Sequence, residues 1–142
     1  MECGNLSIKA ENFEECDLIS SFLQDSIFHI SFHSLHEERK CFRLMLNRFC
    51  WESADSFDKN ECYHRVHSGL YIYNVNSIVA SNNIIEDQYL SLLTLHASQN
   101  EVNLVFSENK HICVGVGNLL IYLKDLHDKY STLSLPIHNF LS

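Results

Sequence analysis

The spacing of apolar residues changes after Asp25, and the change predicts a helix followed by a strand. Over residues 13–25 apolar side chains recur every three or four positions, which is the period of an amphipathic helix. Asn12 stands at the N-cap position, and Glu15 is placed to reach back to the cap amide. Over residues 27–33 apolar and polar residues alternate, as in a strand with one apolar face.

The rest of the chain is dominated by the same alternation. Further strands are predicted over residues 6–10, 41–51, 70–80, 89–97, 102–106 and 112–116. The last two flank a polar turn at 107–110 and predict a hairpin. Gly69 is expected to open the strand at 70 or to form a bulge. From Leu119 to Tyr130 the apolar spacing is typical of a second amphipathic helix. The polar segment 52–63 predicts a flexible loop, and 131–142 predicts an extended tail.

This order of elements predicts an α+β fold. Short consecutive strands joined by turns favour a bent, mainly antiparallel sheet or partial barrel of about seven strands. One helix would follow strand 1, and a C-terminal helix would close the sheet, an arrangement that resembles a pleckstrin-homology-like barrel. The length of 142 residues suits a single domain spanning 1–142.

Composition narrows the classes of function. The formal net charge is -8, with 18 Asp and Glu against 10 Lys and Arg. This balance disfavours nucleic acid and anionic membrane surfaces as partners. The sequence shows neither a membrane-spanning apolar run nor a secretory signal, so we expect a cytoplasmic protein. The 6 cysteines are therefore expected to be reduced thiols, and none forms a C-x-x-C pair.

A series of short motifs resembles a known family. They are Leu23–Ile27 (LQDSI), Glu37–Arg39 (EER), Leu46–Glu52 (LNRFCWE), Ser68–Leu70 (SGL), Leu90–Leu93 (LSLL) and Tyr122–Leu126 (YLKDL). In this order they are similar to a family of uncharacterised alphaproteobacterial proteins, a domain of unknown function. The surface departs from that family, being rich in Asn, Ser, Ile, Lys and His where the relatives are rich in Arg. The resemblance implies a cytoplasmic bacterial protein of one domain and carries over no catalytic residue.

The first candidate site is built from Asp25, Asn47, Arg48 and Trp51. Arg48 falls on the apolar face of its strand, where a buried guanidinium needs a carboxylate partner. Asp25, at the end of the first helix, is the expected partner. The four residues then form either a structural ion pair that locks helix to sheet, or a recognition surface, since Arg and Trp are common at interaction hot spots.

The second candidate is a metal site. His64 and His67 have a spacing that suits metal ligands, with Cys62 nearby, but zinc needs about four ligands or three and a water. Surface histidines on an acidic protein explain the pattern more simply. The sequence contains no G-x-S-x-G motif and no P-loop.

These observations favour a non-catalytic cytoplasmic binding or adaptor module without a cofactor. It would act on a protein, peptide or small ligand, through a surface or by adding a partner strand to a sheet edge, and homodimerisation through that edge is equally compatible. The alternative is a small metal-assisted enzyme using His64, His67 and Cys62.

Overall fold

The computed structural model describes residues 5–32, 35–36, 40–51, 63–126 and 130–132. Within these ranges the chain forms one helix, α1 (Phe13–Leu23), and eleven strands. The strands are β1 (Ser7–Ala10), β2 (Ile27–His29), β3 (Leu35–His36), β4 (Cys41–Phe49), β5 (Tyr63–Ile72), β6 (Val75–Ala80), β7 (Tyr89–Ser98), β8 (Glu101–Phe106), β9 (Lys110–Val116), β10 (Ile121–Asp125) and β11 (Tyr130–Thr132).

Nine strands follow one another in a single open sheet, in the order β1-β10-β5-β4-β2-β7-β8-β9-β6. β11 pairs with β5, and β3 pairs with β4, beside this path. The strand pairs are antiparallel throughout the described residues. The two ends of the order, β1 and β6, do not pair with each other in this part of the chain, so the sheet is not closed.

The sheet bends into two halves that share one core. The first half contains β1, β10, β5, β4 and β2, and the second contains β7, β8, β9 and β6. β5 runs into β6 through Asn74, whose φ of 59° turns the chain, while β9 runs into β10 alongside. The bonds Tyr73 N to Leu120 O (3.0 Å) and Gly117 N to Asn74 O (2.9 Å) carry the ladder through this bend.

The inward faces of both halves and one side of α1 form a continuous hydrophobic core. Phe28 of the first half meets Phe106 of the second edge to face, with ring centroids 5.7 Å apart. α1 packs against β7, β1 and β4, burying Cys16 among other residues. Asn12 caps α1 as predicted, since its Oδ1 accepts from the amide of Glu15 at 2.9 Å. The Glu15 carboxylate reaches back to the amide of Glu11 (2.8 Å) instead of the cap amide.

The structure confirms the predicted α+β class, the mainly antiparallel sheet and the hairpin, which is formed by β8 and β9. The predicted C-terminal helix is wrong, because residues 121–125 form strand β10. Ile121, Leu123 and Asp125 are buried and alternate with Tyr122 and Lys124, which face outward. The apolar residues around them mimic helical spacing, but the pairing with β1 and β5 imposes period two.

Several strand boundaries also differ from the prediction. The predicted strand 70–80 is two strands, because the chain bends at Asn74. Gly69 lies inside β5 and neither opens it nor forms a bulge. β2 ends at His29 and α1 at Leu23, both earlier than expected. Tyr63 already belongs to β5, and 131–132 belong to β11. The remainder of the predicted loop (52–62) and tail (133–142) lies outside the described residues.

Candidate functional site

Arg48 is held by Asp125 in a buried, two-pronged ion pair. Its Nε donates to Asp125 Oδ1 at 3.0 Å and its Nη2 to Oδ2 at 2.9 Å. Both side chains have 0% of their surface exposed. The guanidinium also lies over the ring of Phe22 on α1, 5.8 Å from its centroid. The structure thus supplies the expected carboxylate from β10, whereas we predicted Asp25.

Asp125 is the centre of a network that joins β4, β5, β10 and the residue that precedes β1. Ser68 Oγ donates to its Oδ1 at 2.7 Å, and the amide of Leu6 donates to its Oδ2 at 2.9 Å. Burial raises the pKa of the Asp125 carboxyl, but hydrogen bonds from Arg48, Ser68 and Leu6, with the Arg48 charge, more than offset burial and lower it. The carboxylate is therefore ionised and fixed, as suits a structural role.

Asp25 and Trp51 both lie where α1 ends. Asp25 adopts a left-handed backbone with φ of 61°, which Asp tolerates better than most residues, and its amide donates to Leu92 O at 3.1 Å. Trp51 Nε1 donates to the carbonyl of Gln24 at 2.9 Å, so the indole binds a carbonyl that the helix leaves without an internal donor. These two predicted residues support the corner between α1 and the sheet.

Asn47, the fourth predicted residue, faces outward from β4. Its Oδ1 accepts from Arg65 Nη1 at 3.2 Å. Arg65 is 5% exposed and its guanidinium lies over the ring of Phe49, 5.7 Å from the centroid. The structure therefore divides the predicted set, with Arg48 on the core side of β4 and Asn47 on its solvent side.

The two histidines of the predicted metal site are not brought together. His64 and His67 are three positions apart on β5, so their side chains point to opposite sides of the sheet. Cys62 lies outside the described residues. Among the residues that the structure describes, no cluster of three or more His, Cys, Asp or Glu side chains is arranged to hold a metal ion.

The cysteines differ in state. Cys16, Cys41 and Cys113 are not disulfide-bonded. Cys50 is disulfide-bonded, which corrects the expectation that its thiol is reduced. Its partner is not among the described residues. Burial raises the pKa of Cys16 to about 11, helped by the charges of Asp17 and Glu15, so this thiol is protonated and unreactive at neutral pH.

The solvent side of the first half is a second, larger candidate, which we call the outer face. It is made by the side chains of β1, β10, β5, β4 and β2 that point away from the core. One cross-strand row runs through Ser7, Lys124, Gly69, Met45, His29 and Tyr89. The next row runs through Lys9, Tyr122, Tyr71 and Arg43. Side chains from distant parts of the sequence thus meet on one surface.

A groove lies at the β4–β2 side of this face. We call it the histidine groove; it is lined by Ile27, His29, Met45, Leu46, Asn47, His67 and Tyr89 and encloses about 350 Å³. His29 Nε2 lies 3.1 Å from Asp87 Oδ1, and its ring is 5.1 Å from that of Tyr89. Tyr89 is 70% exposed and Met45 42% exposed. The groove therefore offers apolar surface together with imidazole, phenol and amide groups.

A second concavity lies at the β10–β5 side. We call it the tyrosine cavity; it is lined by Ser7, Tyr71, Tyr73, Leu120, Tyr122 and Lys124 and encloses about 530 Å³. Tyr73 and Tyr122 meet edge to face with centroids 5.7 Å apart. The ring of Tyr71 occupies the space beside Gly69 that any other side chain would fill, since a Cβ there would be 2.6 Å from its hydroxyl. Gly69 therefore lets Tyr71 lie down onto the sheet.

Sequence reasoning found Asn47 and His67 but missed the rest of the outer face. The signal lay in the alternation, because Arg43, Met45 and Asn47 share one side of β4. Recognising the surface needed the register that sets these residues beside Tyr71 and His67 of β5, and one sequence does not give register between distant strands.

The comparisons with known proteins point to one family. The sequence profile of a family described as a protein of unknown function (DUF2948) matches residues 6–138. No curated protein matches the chain, and no solved structure does. Among the described residues, no helix combines the length and apolar character needed to cross a membrane.

Proposed function

The chain belongs to the DUF2948 family of proteins of unknown function, and we propose that it is a non-catalytic cytoplasmic binding module of one domain that holds its ligand on the outer face. One observation carries this proposal: the histidine groove and the tyrosine cavity lie side by side on one sheet surface. Each combines apolar walls with a few polar groups, which is the usual make-up of a binding site.

The strands beneath the outer face make it a rigid platform. Their inward side chains, including Leu44, Leu70 and Leu123, are fully or almost fully buried in the core. The Arg48–Asp125 pair ties β4 to β10 below the face. A surface that is already ordered loses little conformational entropy on binding, which favours affinity.

We also propose that the chain has the fold of a pleckstrin-homology-like partial barrel. The bent antiparallel sheet supports it, with α1 rather than a C-terminal helix packing against strands of both halves. A partner strand or a second copy of the chain would add at β1 or β6, the ends of the strand order.

Chemical-shift mapping tests the proposal. The ¹⁵N-labelled protein is titrated with a library of small-molecule fragments and with mixed short peptides. We expect shifts to concentrate at residues 27–29, 45–47, 67–73 and 120–124, which line the two concavities. Tyr89→Ala should weaken binding in the groove, whereas Val79→Ala should leave it unchanged, because Val79 is 62% exposed on β6 of the other half. Shifts confined to β6–β9, or equal effects of both variants, would contradict the proposal.

A further inference from the structure

The outer face carries a charge opposite to that of the whole chain. Lys9, Arg43 and Lys124 point outward on it, together with His29 and His67, and Arg65 lies on the same side but is only 5% exposed. None of the described outward positions of β1, β10, β5, β4 and β2 is Asp or Glu. Three carboxylates stand close by: Glu11 pairs with Lys9 at 3.3 Å, the charge of Glu15 also acts on Lys9, and Asp87 meets His29. Across the residues that the structure describes, the face keeps an excess of positive charge from Arg43 and Lys124, in a chain of net charge -8.

The two concavities are separated by a distance that a peptide can span. The tyrosine cavity lies over β10 and β5, and the histidine groove over β4 and β2, about two strand spacings away. The cavity also lies about three residues further along the strands, so the two centres are roughly 15 Å apart. An extended peptide rises about 3.3 Å per residue, so anchors about four or five residues apart would reach both. Lys124, which lines the cavity and is exposed, is available to a carboxylate of the same peptide.

We propose that the ligand of the outer face is an acidic peptide segment of a partner protein, lying across the strands with a bulky side chain in each concavity. The inference rests on the proposed function and names the chemistry of its ligand. Charge complementarity selects the acidic segment: the peptide's carboxylates meet Lys124 and the neighbouring cations, while its aromatic or aliphatic anchors pack against Tyr122 and Met45.

A nucleic acid strand fits the observations less well. The stacking surface would suit unpaired bases, but a phosphate backbone needs several clustered cations along its path. On the outer face Lys9 is paired with Glu11, and Arg65 is 5% exposed and donates to Asn47. The net charge of -8 also repels a long polyanion, whereas a short peptide brings few charges.

Fluorescence anisotropy with defined probes tests the inference. The probes are fluorescein-labelled peptides with two tyrosines about four or five residues apart, on a background of glutamate or of glutamine, and a labelled oligothymidine. We expect the glutamate peptide to bind best and its affinity to fall with added salt. Lys124→Gln should weaken it about threefold, the effect of one exposed ion pair. The control Lys110→Gln, on β9 of the other half, should leave the affinity unchanged, because that side chain lies away from the outer face and pairs with Glu108.

The outcomes separate this inference from the proposed function. Equal binding of the glutamine peptide on the outer face would overturn the acidic ligand and leave the binding module standing. Tighter binding of oligothymidine would overturn it in favour of nucleic acid. Failure of every probe, or association of the chain only with itself, would also overturn it, while the fragment titration judges the binding module independently. The glutamate and glutamine peptides are compared on the unaltered protein, so the test does not depend on a variant that folds.

Discussion

Replacing Asp125 by Asn should remove a large share of the stability of the fold. Asp125 accepts four hydrogen bonds, two from Arg48 and one each from Ser68 and the Leu6 amide. Each carboxylate oxygen accepts from one Arg48 nitrogen and from either Ser68 or Leu6. In Asn one of these oxygens is replaced by an NH₂ group, which is itself a donor and would face two donors. It also leaves the fully buried guanidinium without a counter-charge.

The magnitude follows from these contacts. Breaking a buried ion pair by removing one partner typically costs about 3–5 kcal/mol, because the remaining charge stays desolvated. A domain of this size unfolds with a free energy of roughly 5–15 kcal/mol, so Asp125→Asn should bring it close to marginal. Arg48→Met should cost a similar amount, since it leaves the carboxylate buried. The double variant should recover part of the loss, because its Asn can bond Ser68 and Leu6 without facing a cation.

The assay is a double-mutant cycle by urea denaturation. The cycle compares the free energies of unfolding of the wild type, the two single variants and the double variant, provided that all four unfold with the same m-value. We expect a coupling energy above about 1.5 kcal/mol. If a single variant does not fold, Ser68→Ala removes one bond to the carboxylate and should cost about 1 kcal/mol. Effects of Arg48→Met and Asp125→Asn that add within about 0.5 kcal/mol would refute the pair as a stabilising unit.

The same pair predicts a pH dependence. The pKa of Asp125 is lowered in the folded state from its ordinary value of 3.8. A depressed folded pKa contributes stability above the unfolded pKa, and this contribution is lost as the pH falls toward the folded pKa. The stability difference between the wild type and Asp125→Asn should therefore be constant near neutral pH and shrink below about pH 4. A difference that grows on acidification would contradict the assignment.

Three further predictions concern single features. Glu108 and Asn109 both have positive φ, at 65° and 59°, in the β8–β9 turn, so Glu108→Asn should raise the unfolding free energy by about 0.5–1 kcal/mol. Glu108 Oε1 also lies 3.5 Å from Lys110 Nζ, and a loss of stability would show that this ion pair matters more. Because His64 and His67 face opposite sides of β5, EDTA should leave the melting temperature unchanged, and a drop on chelation would reinstate a metal site. Cys16 is 1% exposed, with a pKa raised to about 11, so iodoacetamide and mass spectrometry should find it alkylated only after unfolding; modification in the native protein would disprove its burial.

The elements that the sequence predicts well are those whose signal is local. Asn12 and Glu15 mark the start of α1 because capping involves residues a few positions apart. The β8–β9 hairpin is visible because two alternating runs flank a short polar turn. The C-terminal segment misleads because Leu119, Tyr122, Leu123 and Leu126 fit a helical period, and only pairing with β1 and β5 makes it a strand.

The candidate site was harder to predict because it depends on contacts between distant residues. The need of Arg48 for a carboxylate follows from its place on an apolar face. The identity of that carboxylate does not follow from the sequence, because Asp25 and Asp125 are both plausible partners. Only the register of β5 against β10 selects Asp125. The outer face cannot be recognised from the sequence for the same reason, since His29, Gly69 and Lys124 come into one row only through three strand pairings.

The bond between Leu6 and Asp125 has a consequence for how the protein folds. It joins residues 119 positions apart, and β1 pairs only with β10 among the described strands. Proteins dominated by such distant pairings fold slowly, on a scale of roughly milliseconds to seconds, because the entropy of closing a long loop is lost before the contact forms. The β7–β8–β9 meander involves only neighbouring segments and can form early. We therefore expect Arg48 and Asp125 to keep part of their hydration until the first strand docks, so that the costly removal of water from both charges falls late in folding.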